Sequence, residues 1–210
     1  MVILSHRGYW KEVLEKNTKS AFELSFALGF GTETDIRDRD GQLVISHDMA
    51  NKNSILVEEF FEIYRTLGNG LPLALNIKAD GLHKNLKNLL VKYEIENYFV
   101  FDMAVPDGLS YVNQNFVTYT RHSEFETVPA YYEMAHGIWV DEFYKHWVTD
   151  EVIEHHLEAG KSICIVSPEL HQRDFAAEWS HYRLLEQRIG RDRLMLCTDL
   201  PEEAKVFFNG

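Results

Sequence analysis

Cysteine and proline are scarce in this chain of 210 residues, which contains two cysteines and five prolines. Cys164 and Cys197 both lie within apolar stretches. We expect them to be buried, reduced thiols, because free cysteine packs as a small hydrophobic residue. So few cysteines exclude a disulfide-stapled miniprotein. The 45% of hydrophobic residues and 26% of charged residues exclude a disordered or collagen-like chain and predict one globular domain over residues 1–210.

Long hydrophobic runs and positive charge are also lacking. No segment approaches the ~18 apolar residues that a membrane-spanning helix needs, and the first residues lack the basic and apolar regions of a signal peptide. We therefore expect a cytoplasmic protein without integral membrane contact. The 21 basic and 33 acidic residues give a net charge of −12, which disfavours nucleic acid and anionic membranes as partners. A small molecule remains as the expected partner, and the oligomeric state stays open.

Short apolar segments alternate with segments of helical period along the chain. The predicted strands are 2–4, 32–36 with 43–45 beside it, 73–77, 98–101, 116–119, 137–140, 162–166 and 194–197. The predicted helices are 17–28, 56–67, 82–93, 108–113, 129–135, 149–159, 174–189 and 201–208. Eight strand–helix units predict a single (β/α)8 TIM barrel with its active site at the carboxyl ends of the strands. The rival is a doubly wound open sheet, but no glycine-rich phosphate loop follows the first strand.

Two carboxylates stand at the end of the second predicted strand. Glu33 and Asp35 are two residues apart, so their side chains lie on one face of the strand. Two carboxylates that converge repel each other unless a cation separates them, and oxygen ligands suit Mg²⁺ or Ca²⁺. The alternative is that Arg37 or Lys78 forms ion pairs with them.

Two histidines, His6 and His47, also follow predicted strands. Two imidazoles that face one site can divide general-base and general-acid work near neutral pH. Arg7 and Lys78 are cations suited to an anionic substrate. Arg121 lies in a dense polar segment, which is either a solvated charge cluster or a further anion contact. Four other histidines are expected on the surface or on helices: His136, His155, His156 and His171.

Six short motifs occur in order over the first quarter of the chain. They are His6-Arg7-Gly8, Asn17-Thr18, Ala21-Phe22, Glu33-Thr34-Asp35, Asp40-Gly41 and His47-Asp48. In this order they resemble the motifs of the glycerophosphodiester phosphodiesterase family, and residues 198–201 resemble the family's closing Thr-Asp-x-Pro.

This resemblance implies a (β/α)8 barrel that hydrolyses phosphodiesters with a divalent metal ion. It makes His6 and His47 the acid–base pair and Glu33 and Asp35 metal ligands. It also makes Arg7 a phosphate ligand. Residues 76–78 correspond to a family Glu-x-Lys motif, and the resemblance assigns phosphate contact to its lysine, Lys78.

The chain departs from the family pattern at Asn76, which replaces the glutamate of that third motif. An amide oxygen can still bind Mg²⁺ or Ca²⁺, but one negative charge is lost. We therefore predict metal binding by Glu33, Asp35 and Asn76 with Glu124 as the compensating acid, and Asp102 and Asp141 are alternatives for that role. The segment between residues 48 and 56 is also too short for the insertion that family members often carry there.

The sequence thus predicts a metal-dependent phosphodiesterase that uses Mg²⁺ or Ca²⁺, with Mn²⁺ as an alternative, on a small glycerophosphodiester-like substrate. Arg7, Lys78 and Arg121 are its predicted phosphate ligands. Two rival hypotheses remain. The first is a non-catalytic barrel that binds a phosphorylated ligand, suggested by the loss of a metal-binding glutamate at Asn76. The second is a phospholipase-type relative that acts on lipid head groups, suggested by the resemblance.

Overall fold

The computed structural model describes residues 1–190 and 192–210. Its strands are β1 (Val2–His6), β2 (Gly31–Arg39), β3 (Gln42–Ile45), β4 (Leu73–Ile77), β5 (Tyr98–Phe101), β6 (Tyr119–His122), β7 (Gly137–Val140), β8 (Ser162–Val166) and β9 (Leu194–Thr198). Its α-helices are α1 (Lys19–Ala27), α2 (Val57–Ile63), α3 (His83–Lys92), α4 (Val105–Asn113), α5 (Asp150–Glu158), α6 (Ala176–Ile189) and α7 (Pro201–Asn209). A π-helical turn (Tyr64–Gly68) extends α2.

Eight of these strands form a parallel barrel in the order β5-β4-β2-β1-β9-β8-β7-β6, and β3 pairs antiparallel with the end of β2. The barrel closes where β5 meets the start of β6. There Val100 bridges to Thr118, and the Val100 amide donates to the Val117 carbonyl at 2.9 Å. The (β/α)8 prediction is therefore confirmed, and the open-sheet rival is wrong.

Aromatic side chains fill the inside of the barrel beneath the carboxyl ends of the strands. Phe99 stacks on Tyr119 with ring centroids 3.8 Å apart, and Phe101 stacks on Trp139 at 4.0 Å. Cys164 and Cys197 pack in the same cluster as free, fully buried thiols, as expected. Because the interior is packed in this way, it supports the polar side chains at the strand ends from below.

The sixth strand differs from its prediction. It begins at Tyr119 instead of residue 116, because Phe116 is buried outside the barrel against the rings of Tyr98 and Tyr111. The shift places Arg121 within β6 rather than after it.

The helix predicted at 129–135 is also wrong. A single 3₁₀ turn (Tyr132–Met134) stands there. Tyr131, just before it, has φ of 42°, in the left-handed region that an α-helix of L-residues does not adopt. Its ring packs so closely on Gly108 that a Cβ there would lie 2.9 Å from it.

The chain between β3 and α2 is short and largely exposed, as the missing insertion predicts. His47 lies in this loop. Among the described helices, none combines the length and the hydropathy that crossing a bilayer requires.

Candidate functional site

A cavity of about 190 Å³ opens at the carboxyl ends of the barrel strands. Strand register brings its residues together, since His6 lies opposite Glu33 and Asp35 lies opposite Asn76 on paired strands. The polar and charged residues that line it are His6, Arg7, Glu33, Asn76, Asp102, Arg121, Asp141 and His171. Five of the predicted site residues therefore share this cavity, and Asp35 contacts two residues at its edge.

His6 is fixed by Asp199, which directly follows the last strand. Its Nδ1 lies 2.7 Å from Asp199 Oδ1, and Lys16 Nζ lies 3.3 Å from Asp199 Oδ2. Burial acts to raise the pKa of Asp199, but the His6 hydrogen bond and the positive charges of His6 and Lys16 bring it below its ordinary value. An ionised carboxylate only accepts hydrogen bonds, so Nδ1 of His6 carries the proton.

The other ring nitrogen of His6 is therefore the one available for chemistry. Nε2 lies 3.9 Å from Glu33 Oε2 at the cavity wall. Burial lowers the pKa of His6 in spite of the opposing effect of Asp199, which favours the neutral ring at neutral pH. A neutral imidazole with a free Nε2 can accept a proton from a bound hydroxyl or water.

Glu33 is a buried carboxyl group without a cation of its own. Its side chain is 3% exposed, and Oε2 has no hydrogen-bond partner. Burial, followed by the negative charge of Asp35, raises the pKa of Glu33 to about 8. A carboxyl group in this state gains most from a cation placed beside it.

Asp35, by contrast, already has two cationic neighbours. Its Oδ2 accepts from Asn17 Nδ2 at 2.8 Å and lies 3.1 Å from Arg7 Nε. Lys78 Nζ lies 3.3 Å from Oδ1. Of the two alternatives raised for this carboxylate, the Lys78 ion pair is present, whereas Arg37 donates to the His47 carbonyl instead. Asp35 thus holds Arg7 and Lys78 at the edge of the cavity.

Asn76 presents its amide to the same cavity. Nδ2 donates to Asp102 Oδ2 at 3.1 Å, while Oδ1 is buried and has no hydrogen-bond partner. Arg121 forms an ion pair with Asp102, and its Nη1 lies 3.8 Å from Asp141 Oδ2. Asp102 therefore fixes the orientation in which the Asn76 oxygen is left free.

The donor set fits a hard divalent cation. Two buried oxygens, Glu33 Oε2 and Asn76 Oδ1, lack hydrogen-bond partners. Asp35 Oδ1 also accepts no hydrogen bond, although Lys78 forms an ion pair with it, and the three residues stand on two adjacent strands. Carboxylate and amide oxygens are the ligands that Mg²⁺ and Ca²⁺ take in proteins. The residues that the sequence selected can thus hold such an ion.

Glu124 lies apart from these oxygens. Its carboxylate accepts from the backbone amides of Phe143 at 3.1 Å and Tyr144 at 2.7 Å, and it does not line the cavity. The carboxylate that the sequence suggested as the compensating acid therefore accepts hydrogen bonds from the loop after β7. Asp102, one of the two alternatives, is the acid that contacts Asn76.

His47 is also outside the cavity lining. Its side chain is 44% exposed, and Nδ1 lies 2.9 Å from Asp48 Oδ1. Its loop is nevertheless anchored next to the site, because the Ser46 amide donates to the Asp35 carbonyl at 3.0 Å.

His171 was missed by sequence reasoning. The residue does end a helical element, a 3₁₀ turn (Pro168–His171) after β8, but it also lines the cavity, which was not expected. Its Nε2 lies 2.7 Å from Asp141 Oδ1. Asp199 was also given no role, although it follows a strand end directly, which is the signal that could have selected it.

A second cluster of potential metal ligands lies elsewhere. Glu142, His146 and Glu178 present ligand atoms within 4.8 Å of one another. Arg173 already forms an ion pair with Glu178, and its Nη1 lies 3.7 Å from Glu142 Oε2. This cluster shares no residue with the cavity lining.

The sequence matches no family model and no curated protein. Three solved structures share the fold over the whole chain. A candidate glycerophosphodiester phosphodiesterase from Galdieria sulphuraria has 19% identity and a TM-score of 0.76, with 98% of that chain covered. A glycerophosphodiester phosphodiesterase from Agrobacterium tumefaciens strain C58 has 16% identity and a TM-score of 0.70, with 100% covered. An Oleispira antarctica phosphodiesterase in complex with the product sn-glycerol-3-phosphate has 13% identity and a TM-score of 0.68, with 97% covered.

Proposed function

We propose that this chain is a divalent-metal-dependent phosphodiesterase of the glycerophosphodiester phosphodiesterase type. One observation carries the proposal: the free Nε2 of His6 faces the same cavity as the unpartnered oxygens of Glu33 and Asn76. The ordered motifs of the first quarter of the chain and the fold shared with three phosphodiesterase structures support it.

We assign each part of the proposed reaction to a residue. Glu33, Asp35 and Asn76 would hold Mg²⁺ or Ca²⁺, with Mn²⁺ as an alternative, and the bound ion would offset charge on the phosphoryl oxygens. Arg7 and Lys78, held by Asp35, would bind the phosphate.

His6 would take the proton from the attacking hydroxyl, which belongs either to water or to the substrate. Attack by a neighbouring substrate hydroxyl would give a cyclic phosphate. A second group must protonate the leaving alkoxide, and the resemblance pairs His47 with His6 as the two acid–base residues without fixing which is acid and which is base.

The substrate proposed is a small diester with a polar alcohol. A larger cavity, about 400 Å³ in volume, shares Asn76, Asp102 and Arg121 with the first and is lined further by Lys78, Glu126 and Tyr131. We propose that Arg121, on the border between the two cavities, contacts the phosphate and that one alcohol of the diester occupies the larger cavity. The product bound to the Oleispira antarctica phosphodiesterase, sn-glycerol-3-phosphate, is the kind of monoester that hydrolysis of a glycerophosphodiester leaves.

The experiment is a turnover assay with bis(p-nitrophenyl) phosphate and glycerophosphocholine. We expect hydrolysis of both with Mg²⁺, Ca²⁺ or Mn²⁺, loss of activity in EDTA, and recovery when the ion is restored. Absence of turnover with every ion, together with tight binding of a phosphodiester, would instead favour the non-catalytic barrel that Asn76 motivates.

Removing the charge of Asp199 should reduce this activity without removing His6. In Asp199→Asn, the amide can offer a donor to Nδ1 and so favour the wrong tautomer of His6. We expect kcat/KM to fall about 10–100-fold, as for other groups that orient a functional histidine. Glu202→Gln, at an exposed position on α7, is the matched control, and equal activity of the two variants would refute the role of Asp199.

A further inference from the structure

The cluster of Glu142, His146 and Glu178 joins the loop after β7 to α6. Glu142 and His146 belong to the loop, and Glu178 lies in the first turn of the helix. His146 Nδ1 lies 3.2 Å from Glu142 Oε2 and 3.9 Å from Glu178 Oε2. Ligand atoms at ~2.0 Å around a tetrahedral Zn²⁺ are about 3.3 Å apart, so both separations differ from that spacing by less than about 1 Å.

Glu178 contributes a buried oxygen that has no hydrogen-bond partner among the described residues. Its side chain is 9% exposed, and the oxygen in question is Oε2. Arg173 forms an ion pair with the other oxygen, Oε1, and so leaves Oε2 on the side of His146. Burial, followed by the hydrogen bond and the negative charge of Glu142, raises the pKa of Glu178 to about 8. A carboxyl group in this state gains from a cation placed beside it.

Glu142 is oriented by donors around it. Its Oε1 accepts from the backbone amides of Trp147 at 3.1 Å and Val148 at 2.9 Å. Its Oε2 accepts only from the Tyr182 hydroxyl, at 3.2 Å, and so keeps a second lone pair. Arg173 Nη1 lies 3.7 Å from that oxygen and donates instead to the Glu142 carbonyl at 2.8 Å. Hydrogen bonds of this kind orient carboxylates that bind metal ions.

The tautomer of His146 is set from the far side of its ring. His181 Nε2 lies 2.5 Å from Asp150 Oδ1, and His181 Nδ1 lies 3.2 Å from His146 Nε2. The hydrogen bond from His181 lowers the pKa of Asp150, so this carboxylate is ionised and only accepts. A neutral His181 therefore donates through Nε2 and accepts at Nδ1 from His146 Nε2. Nδ1 of His146 then carries no proton and turns a lone pair toward the two glutamates.

We propose that Glu142, His146 and Glu178 form a Zn²⁺ site outside the barrel cavity, with His181 as the positioning residue for His146. Three acceptors that converge repel one another unless a cation lies between them, and imidazole and carboxylate groups are ligands of Zn²⁺. The side chain of His146 is 37% exposed, so the ion can enter and a water molecule can complete its coordination. The bound ion would fasten the loop after β7 to α6.

A proton is the alternative occupant of this position. The raised pKa keeps Glu178 protonated at neutral pH when no ion is bound. Zn²⁺ binds the deprotonated carboxylate, so at pH 7 its binding should release about one proton per ion. This release is a property of the cluster and does not depend on phosphodiesterase activity, because the cluster shares no residue with the cavity lining.

The experiment is calorimetric titration of the metal-free, full-length Glu33→Gln protein with Zn²⁺. Glu33→Gln weakens the proposed barrel site and leaves the cluster intact. We expect the binding of one ion per chain, with the proton release measured by repeating the titration in a buffer of different ionisation enthalpy. The thermal unfolding temperature should rise as Zn²⁺ is added, because the ion binds the folded state.

Three further substitutions in the same protein locate the ion. His146→Gln removes a ligand and should weaken Zn²⁺ binding by at least ~10², the upper end of the loss expected from an outer residue. His181→Phe keeps an aromatic ring against Tyr182 but cannot accept from His146, and affinity should fall about 10–100-fold with metal-free unfolding unchanged. His155→Gln, at an exposed position on α5, is the matched control and should keep the affinity.

Three outcomes would overturn the inference. An unchanged Zn²⁺ affinity in His146→Gln would place the ion elsewhere. Binding by the native chain but not by Glu33→Gln would place it in the barrel. Absence of Zn²⁺ binding by both proteins would show that the cluster holds a proton and no metal ion. Each of these outcomes leaves the proposed phosphodiesterase function to be decided by its own turnover assay.

Discussion

Replacing His6 by alanine should lower kcat/KM for bis(p-nitrophenyl) phosphate by at least ~10². The physical reason is the fixed orientation of this ring, whose Nδ1 lies 2.7 Å from Asp199 Oδ1 and whose Nε2 faces Glu33 across 3.9 Å. Burial keeps its pKa below the ordinary value, so the basic form dominates at neutral pH. Alanine removes the base and leaves the cations Arg7 and Lys78 in place, so binding should change less than kcat.

Two controls separate the loss of a base from the loss of a fold. His155→Ala changes an exposed histidine on α5 and should keep native activity. Added imidazole should restore part of the activity of His6→Ala, because a free base can enter the space that the side chain leaves. Full activity of His6→Ala would remove His6 from the mechanism.

Glu33→Gln should make the metal-free protein more stable at alkaline pH and weaken its response to a divalent ion. The pKa of Glu33 is raised to about 8 in the folded state against an ordinary value of 4.5. Between those values the folded state binds more protons than the unfolded state, so its unfolding free energy falls as pH rises toward 8. Glutamine has no proton to lose, so at pH 8.5 in EDTA we expect a gain on the order of 5 kcal/mol.

The measurement is urea unfolding of both proteins at pH 5 and at pH 8.5, with EDTA or with Ca²⁺. The native protein should lose stability between the two pH values in EDTA and regain it with Ca²⁺, whereas Glu33→Gln should respond weakly to either change. Ca²⁺ suits this test because the separate cluster at Glu142, His146 and Glu178 contains an imidazole, which Ca²⁺ seldom accepts as a ligand. An equal Ca²⁺ effect on both proteins would contradict metal binding by Glu33.

The sequence was sufficient to predict the barrel and the cavity residues that β1, β2 and β4 contribute. Alternating apolar and helical segments gave the strand count, and the strand ends at His6, Glu33 and Asn76 follow from the rule that such sites lie at the carboxyl ends of barrel strands. Their side chains converge because β1, β2 and β4 are neighbours in parallel register.

The residues that come from the second half of the chain could not be predicted from local patterns. Asp199 is 193 residues from His6, and only closure of the barrel brings β9 next to β1. His171 enters the cavity through the direction of a short turn after β8, which residue types alone do not specify. The contacts of Glu124 could not be predicted for the same reason, because the fold of the loop after β7 brings two backbone amides to its carboxylate.

Phe116 shows why the start of β6 could not be predicted from residue types. Its neighbours Val117 and Thr118 favour a strand by residue type, yet its ring packs with Tyr98 and Tyr111 on the helical side of the barrel. Because of this tertiary packing, the strand begins three residues later than predicted and includes Arg121.

The most direct test of the proposed site is a crystal grown with Mn²⁺ and measured for anomalous scattering. We predict an anomalous peak within coordination distance of Glu33 and Asn76, on the side of the cavity that His6 Nε2 faces. A map without that peak, with the oxygens of Glu33 and Asn76 turned away from each other, would contradict the metal-dependent phosphodiesterase proposed for this chain.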